Sequence, residues 1–235
     1  MENAPVIHIA ARMFRPGEED RYNDFLEKWY FEAYVPLIAQ NPGFQGAGRY
    51  RILNETPDYP KYMMIFHFTN LAAFRNYDQS SEALGIREAT GANFPTSFFR
   101  WFVQYQIVNR WGNEPERPPK DTKTEFAPVI HLEGFILSLE EEEKYNDWFA
   151  AKGHGMYLQL VTNGEGVTRI EHCRVVRPGP LYPLYMTFFS FGSIKAFADW
   201  EKNREVATIR EDIKSTFPVA QSWHVQYELT KSWRK

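Results

Sequence analysis

Hydrophobic and polar positions along the chain change their period in a fixed series, and the series occurs twice. Four segments of the first half are rich in β-branched and aromatic residues and end at turn signals, as strands do. These predicted strands cover residues 6–13, 44–53, 61–68 and 98–108. Apolar residues recur with helical spacing over 18–41 and 71–91, and the second of these stretches is interrupted near Ser80.

The second half has the same alternation of periods. Its predicted strands cover residues 129–137, 167–176, 185–191 and 222–229. Ser138 and Glu141 have the spacing of a capping box, which predicts that a helix begins there. A second helix is predicted over 194–215. Each half therefore has the order strand, helix, strand, strand, helix, strand.

The two halves are also related residue by residue. The sequence APVIH at 4–8 returns at 127–131, an offset of 123 residues. Near the end of each half the offset becomes 122, so that Gln104 corresponds to Gln226. A period this long, present in two copies, indicates a duplicated small domain rather than a solenoid.

The duplication predicts two domains and a fold class. The predicted boundaries are a first domain at 1–111, a polar and proline-rich linker at 112–126, and a second domain at 127–235. The βαββαβ order is that of the ferredoxin-like plait, a sheet with both helices on one face. Two such domains can cover each other's bare sheet faces. The predicted fold class is therefore α+β, with two tandem ferredoxin-like domains forming an intrachain α+β barrel.

Several turn and packing motifs of the first copy resemble a known superfamily. They are Arg15-Pro16-Gly17-Glu18-Glu19, Asn41-Pro42-Gly43-Phe44 leading into Gly48-Arg49-Tyr50-Arg51, Tyr59-Pro60-Lys61-Tyr62 and Ala72-Ala73-Phe74-Arg75-Asn76-Tyr77. The chain resembles the dimeric α+β barrel superfamily, which includes antibiotic-biosynthesis monooxygenase, EthD-like and stress-responsive barrel domains. These motifs specify fold better than chemistry, and the resemblance implies enzymes of several reaction types as well as proteins without activity.

Composition narrows the classes of partner. The net charge of −3 gives no electrostatic reason to expect nucleic acid or an anionic membrane. No apolar run is long enough to span a bilayer. The single cysteine, Cys173, and the lack of an apolar leader favour a cytoplasmic protein. The expected partner is a small-molecule ligand, and a homo-oligomer is compatible with the sequence.

Histidines and glutamines of the strands are the first candidates for chemistry. Strand alternation places His8 and His131 on equivalent strands, each with a glutamine on the last strand of its copy. Their function would be acid–base chemistry or ligand orientation, because histidine titrates near neutrality. The alternative is a structural hydrogen-bonded network that a duplicated protein keeps in both halves.

Positions that differ between the copies point to a site in one half. Lys152-Gly153-His154-Gly155 falls where the first copy has helical residues, and two glycines there predict a broken helix. A broken helix would open a pocket beside His154, whereas the alternative is a solvated loop. The predicted catalytic residues are His154, His131 and His8. The predicted substrate-binding residues are Lys152, Trp148, His67, Arg49, His172, Gln104 and Gln226.

These observations leave three functions open. The first is an enzyme without a tightly bound cofactor that acts on an aromatic or polyketide-like substrate, as a monooxygenase, lyase or isomerase. The second is a non-catalytic small-molecule-binding or stress-related barrel. The third, implied by the resemblance, is a haem-binding barrel with His154, His8 or His131 as the axial ligand. The dinucleotide and phosphate motifs are absent from the sequence, and no metal site is predicted.

Overall fold

The computed structural model describes residues 3–15, 17–112, 126–163, 166–179, 181–217 and 221–234. The predicted linker falls, except for its two end residues, outside these ranges. The strands are β1 (Val6–Met13), β2 (Phe44–Ile52), β3 (Tyr62–Phe68), β4 (Phe98–Gly112), β5 (Val129–Ile136), β6 (Val167–Val175), β7 (Tyr185–Phe191) and β8 (Gln221–Arg234).

The helical elements follow the predicted positions. The α-helices are α1 (Glu19–Phe25), α2 (Val35–Ile38), α3 (Leu71–Asp78), α4 (Ser81–Asn93), α5 (Glu141–Trp148), α6 (His154–Thr162), α7 (Ile194–Glu201) and α8 (Arg204–Thr216). Two π-helical segments, π1 (Leu26–Tyr34) and π2 (Phe149–Gly153), continue α1 and α5. The predicted interruption near Ser80 is confirmed, since the Ser80 side chain caps α4.

The chain divides into two compact units. The first unit is Met1–Gln106 with Leu229–Lys235, and the second is Ile107–Glu228. Within the first, β1 pairs antiparallel with β3 and β4, and β3 pairs with β2. Within the second, β5 pairs with β7 and β8, and β7 pairs with β6. Each unit has the ferredoxin-like strand order.

The predicted fold class is confirmed. Each unit is an antiparallel sheet with helices packed against it, which is the ferredoxin-like arrangement of the α+β class. In the first unit, a core of aromatic and aliphatic side chains lies between the sheet and the helices, with Phe66 and Phe68 from β3 against Tyr30 and Phe74 from the helices. Burial of such rings is the main term that stabilises a domain of this size.

The last strand of each copy is longer than the sequence pattern predicts. β4 continues to Gly112 and β8 to Arg234. Gly112 has φ of +108°, and a Cβ at this position would lie 2.5 Å from the carbonyl oxygen of Thr168. A glycine is therefore required where β4 ends beside β6.

The predicted break in the helix at Gly153 is wrong. π2 leads directly into α6, so the helical backbone continues through both glycines. Gly153 is buried, and a Cβ there would lie 2.8 Å from Phe149 and 2.9 Å from Trp148. The glycine thus lets two rings approach the backbone closely, which offsets its low helix propensity.

Among the described residues, no helix is both long and apolar enough to cross a membrane.

Candidate functional site

His8 lies in the middle of β1, on the face of the sheet that the helices of the first unit cover. It is paired with Phe66 of β3 and Gln104 of β4, which project from the same face. Ala10 projects from this face as well, because side chains alternate along a strand. The His8 side chain is buried, and its ring centroid lies 5.5 Å from that of Phe66 and 4.6 Å from that of Phe102.

A cavity of about 50 Å³ lies between this face and the helices. A buried water needs about 10–15 Å³ on the same scale, so the cavity has room for about three to five water-sized groups. Its lining includes His8, Ala10, Arg12, Tyr30, Tyr77 and Arg87. The cavity is therefore mainly apolar and aromatic, with a few convergent polar groups, as is typical of small-molecule sites.

A hydrogen bond to the main chain orients the His8 ring. Nδ1 lies 3.2 Å from the carbonyl oxygen of Val103 and 3.1 Å from the amide nitrogen of Gln104. A carbonyl oxygen can only accept, so Nδ1 carries the proton in the Val103 bond and Nε2 is the basic nitrogen. The Gln104 amide nitrogen is itself a donor, so in this tautomer its contact with Nδ1 is not a hydrogen bond. Burial, together with the charge of Arg87, lowers the pKa of His8 to about 3, against the opposing effect of the Val103 bond. The ring is therefore neutral at pH 7.

Three buried phenols surround the same space. Burial raises the pKa of Tyr22 and of Tyr77 to about 12, and raises that of Tyr30 further above its ordinary value. All three are therefore neutral. Tyr30 and Tyr77 hydrogen-bond to each other, so Tyr22 and only one of these two can donate to an oxygen atom in the cavity.

Two guanidinium groups complete the polar lining. Arg87 on α4 donates to the carbonyl oxygen of Asp78 at 2.8 Å and also to its carboxylate. Arg12 on β1 donates to the hydroxyl of Ser97 at 2.9 Å, and burial lowers the pKa of Arg12. Both groups stay cationic at neutral pH because an arginine does not lose its proton in proteins. The described lining of the cavity thus has positive charge and no acidic side chain.

The second unit contains the same framework with its centre filled. His131, the counterpart of His8, lies 2.9 Å from the amide nitrogen of Gln226 through Nδ1 and 2.8 Å from Glu133 Oε1 through Nε2. Arg210, the counterpart of Arg87, donates to the same Glu133 oxygen from Nε at 2.8 Å and from Nη2 at 2.6 Å. His224 Nδ1 lies 3.5 Å from this oxygen.

The Glu133 network is held by charge. Burial raises the pKa of Glu133, but hydrogen bonds from His131 and His224 and the charge of Arg210 outweigh it, so the pKa lies well below its ordinary value. Burial also lowers the pKa of His131, which the Glu133 bond opposes. A neutral imidazole and an arginine thus hold an ionised carboxylate inside the second unit.

His131, Glu133 and His224 also present three ligand atoms within 4.8 Å of one another, a spacing that a metal ion could use. Here Arg210 supplies the positive charge, since its guanidinium already binds the Glu133 oxygen toward which both histidines point. The cluster is therefore explained as an ion-pair network.

The structure places the residues predicted around Gly153 at the surface and against α8. Lys152 binds the Asp212 carboxylate at 3.1 Å, and Trp148 Nε1 donates to the same carboxylate at 2.7 Å. His154 is exposed, with its ring centroid 5.2 Å from that of Trp111. The volume expected beside Gly153 is filled by packed rings, so the predicted opening there is absent from the described residues.

The other predicted binding residues separate into two groups. His172 and Arg49 project from the helix-facing side of their sheets, where His172 stacks on Phe149 at 4.3 Å and Arg49 binds the Glu27 carboxylate at 2.8 Å. His67 is paired with Ile7, so it projects from the face opposite His8 and does not share the predicted polar stripe.

Sequence patterns missed the cationic and phenolic lining of the first cavity. Arg87 corresponds to Arg210 at the repeat offset of 123 residues, and Ala10 corresponds to Glu133 at the same offset. A comparison of β1 with β5 at this offset would have shown an acidic residue gained in one copy while its arginine partner is present in both.

Two surface clefts are larger than this cavity but hold fewer convergent groups. One, of about 260 Å³, is lined by Leu137, Leu139 and neighbouring residues. The other, of about 380 Å³, includes Glu55 and Lys61, which already pair with each other at 3.3 Å. The cavity beside His8 is therefore the candidate site.

The protein is similar to known proteins in its three-dimensional structure, not in its sequence. No family model matches the chain, and the search of curated proteins gives no match. A candidate monooxygenase from Fusobacterium nucleatum subsp. nucleatum is 10% identical with a TM-score of 0.67, over 100% of this chain and 96% of that chain. An anthrone oxidase-like protein is 8% identical with a TM-score of 0.65, over 99% and 93% of the two chains. A candidate chlorite dismutase is 8% identical with a TM-score of 0.59, over 97% and 96%. At these identities the similarity concerns the fold.

Proposed function

The chain has the fold of the dimeric α+β barrel superfamily, and from this premise we propose that it is a small-molecule enzyme whose active site is the cavity beside His8. The reaction begins when His8 Nε2 removes a proton from an acidic C–H or O–H group of an aromatic or polyketide-like substrate. The observation that carries this proposal is a neutral, oriented imidazole in a mainly aromatic cavity that a guanidinium also lines.

The geometry supports proton abstraction in three ways. The Val103 carbonyl accepts from Nδ1, so it stabilises the imidazolium that forms when Nε2 takes a proton. Arg87, whose charge acts on His8, stabilises the oxyanion or enolate that remains. Burial of the site strengthens both interactions, because water screens them little.

The low pKa of His8 in the free protein sets a condition on the substrate. An imidazole with a pKa of about 3 is a weak base while the cavity holds no negative charge. Once the proton has moved, the substrate anion next to the ring favours the imidazolium. The proposed substrate is therefore one whose anion stays beside His8, such as an aromatic ketone that forms a delocalised enolate.

The aromatic lining favours a flat apolar substrate. Phe66 and Phe102 contact the His8 ring on the sheet side, and Tyr30 and Tyr77 lie on the helix side. Flat rings pack in such a space by offset or edge contacts. The cavity holds the reacting edge of the substrate. Side chains of π1 or α4 must move to make room for the rest of the substrate.

The described residues do not fit haem at the buried histidines. A porphyrin ring is several times larger than the cavity of about 50 Å³ beside His8. Both ring nitrogens of His131 are already engaged, by Gln226 and Glu133. His154 lies on the surface beside Trp111, without a cavity among its described neighbours. The proposed chemistry is therefore assigned to the protein's own side chains.

Deuterium exchange into a carbon acid tests this function. In D₂O at pH 7.5 we expect the protein to accelerate exchange of the acidic methylene protons of 2-tetralone or anthrone, followed by ¹H NMR, by about 10²–10⁴-fold. His8→Gln should remove this acceleration because an amide is not a base. Lys195→Gln, at an exposed position of α7, should keep it.

Two results would contradict the proposed function. Exchange at the uncatalysed rate with both probes would favour a non-catalytic binding protein. Loss of exchange in His154→Gln, with His8→Gln unaffected, would place the site at the surface segment 152–155 instead.

A further inference from the structure

We propose that the cavity beside His8 recognises a carboxylate group, and that the ligand is an aromatic carboxylic acid whose carboxylate takes the place that Glu133 occupies in the second unit. This inference goes beyond the proposed function. A carboxylate in that place occupies His8 Nε2, the atom that would act as the base, so the acid is a ligand that competes with the substrate. Its basis is a comparison of the two copies, in which one has a carboxylate of its own and the other has the carboxylate-binding groups without it.

The strand registers establish the equivalence of the two positions. Ala10 is paired with Met64 and Phe102 in the first unit, and Glu133 with Thr187 and His224 in the second. These partners are themselves related by the repeat offsets of 123 and 122 residues. Ala10 and Glu133 therefore occupy the same place in their sheets.

The groups that bind the Glu133 carboxylate have counterparts around Ala10. His131 and Arg210 are the carboxylate's closest partners in the second unit, at 2.8 and 2.6 Å. His8 and Arg87 hold the equivalent positions on β1 and α4, and both line the cavity. The histidine anchor is also repeated, because Gln104 and Gln226 lie 3.1 and 2.9 Å from the Nδ1 atoms of their histidines.

The second unit fills the space in other ways too. Trp200 stands where the first unit has Tyr77, and its ring centroid lies 5.4 Å from that of His131. Phe149 and Ile213 stand at the positions of Leu26 and Thr90. The first unit thus has smaller or more polar side chains at these three positions.

The charges facing His8 favour an anion. Arg87 and Arg12 are cationic, whereas Tyr22, Tyr30 and Tyr77 are neutral. Arg87 also pairs with the Asp78 carboxylate on α3, and Arg12 donates to Ser97. A carboxylate beside Nε2 favours the tautomer of His8 that carries its proton on Nε2 and accepts from Gln104 at Nδ1, as neutral His131 does between Glu133 and Gln226.

Binding of benzoate to the full-length protein tests the inference. We expect isothermal titration at pH 7.5 to show that benzoate binds at one site and that benzamide, of the same shape but uncharged, binds at least about tenfold more weakly.

Variants of the cavity make the test specific. Ala10→Glu supplies the carboxylate from the protein, as Glu133 does, and should weaken benzoate binding at least about 30-fold while the protein stays folded. Arg87→Gln should weaken benzoate binding by about tenfold or more without closing the cavity, and it serves as the second variant if Ala10→Glu does not fold.

Equal binding of benzoate and benzamide, or unchanged benzoate binding in both variants, would overturn the inference. Such a result is distinct from failure of the proposed function. Deuterium exchange into 2-tetralone without benzoate binding would support His8 as the base and refute the carboxylate site. Benzoate binding without exchange would support the carboxylate site and refute His8 as the base.

Discussion

Glu133→Ala is expected to lower the free energy of unfolding by about 3–5 kcal/mol, because it leaves the partners of a buried carboxylate without their counter-charge. Glu133 is 3% exposed, and its Oε1 is bound by Arg210 at 2.6 Å and by His131 at 2.8 Å. The substitution removes the carboxylate that both Arg210 and His131 bind. Denaturant unfolding at pH 7.5 measures the loss.

A surface glutamate provides the matched control. Glu55 pairs with Arg51 at 3.2 Å and with Lys61 at 3.3 Å, but its side chain is half exposed. Glu55→Ala should therefore change the free energy of unfolding by less than about 1 kcal/mol. Acetate or formate should restore part of the stability of the Glu133→Ala protein, because a small carboxylate can enter the space that the substitution opens. A loss for Glu133→Ala no larger than that for Glu55→Ala would contradict the ion-pair account.

The protein is expected to lose stability as the pH falls, and the loss should begin at a pH well above the range in which its surface carboxylates titrate. Burial lowers the pKa of His8 and of His172 to about 3. In the unfolded chain a histidine titrates near pH 6.5, so between about pH 6.5 and 3 the unfolded state binds protons that the folded state does not. Stability is therefore present above this window and is lost as the pH falls, by about 1.4 kcal/mol per pH unit for each of the two histidines.

His172→Phe isolates half of this effect. The His172 ring lies between the rings of Phe149 and Tyr185, with centroid distances of 4.3 and 5.2 Å, and its Nε2 is buried without a described hydrogen-bond partner. Phenylalanine keeps the stack and removes the titrating group. It also removes the hydrogen bond of 3.0 Å between Nδ1 and the buried Thr187 hydroxyl, so the variant should be about 1–3 kcal/mol less stable at pH 7.5. Its slope against pH should be about 1.4 kcal/mol per unit smaller. An unchanged slope, measured by urea unfolding between pH 7.5 and 5, would show that His172 does not titrate as described.

Much of the fold follows from the sequence because local patterns and the repeat agree. The capping box at Ser138 and Glu141 forms as predicted, since the backbone nitrogen of Ser138 donates to the Glu141 carboxylate at 2.8 Å and that of Glu141 to the Ser138 hydroxyl at 3.3 Å. The extra length of β4 and β8 does not follow from local pattern, because their last residues pair with strands from distant parts of the chain.

The location of the candidate site is harder to predict from the sequence than the fold is. His8 is identified by its position on an apolar strand, but its cavity depends on how Arg87 and Tyr77 pack over it from helices far along the chain. The glycines at 153 and 155 suggest a broken helix by propensity alone. In the fold, close packing of Phe149 on Gly153 outweighs that propensity, an effect that only tertiary structure reveals.

The measurement that tests the central claim most directly is ¹⁵N NMR of the imidazole groups at pH 7.5, with and without benzoate, and with His8→Gln to assign the signal. We expect a neutral His8 that carries its proton on Nδ1 in the free protein and on Nε2 when benzoate binds, while His131 and His172 keep their signals. A His8 signal that keeps its proton on Nδ1 at saturating benzoate, or a change confined to His154, would contradict the assignment of the ligand site to this cavity.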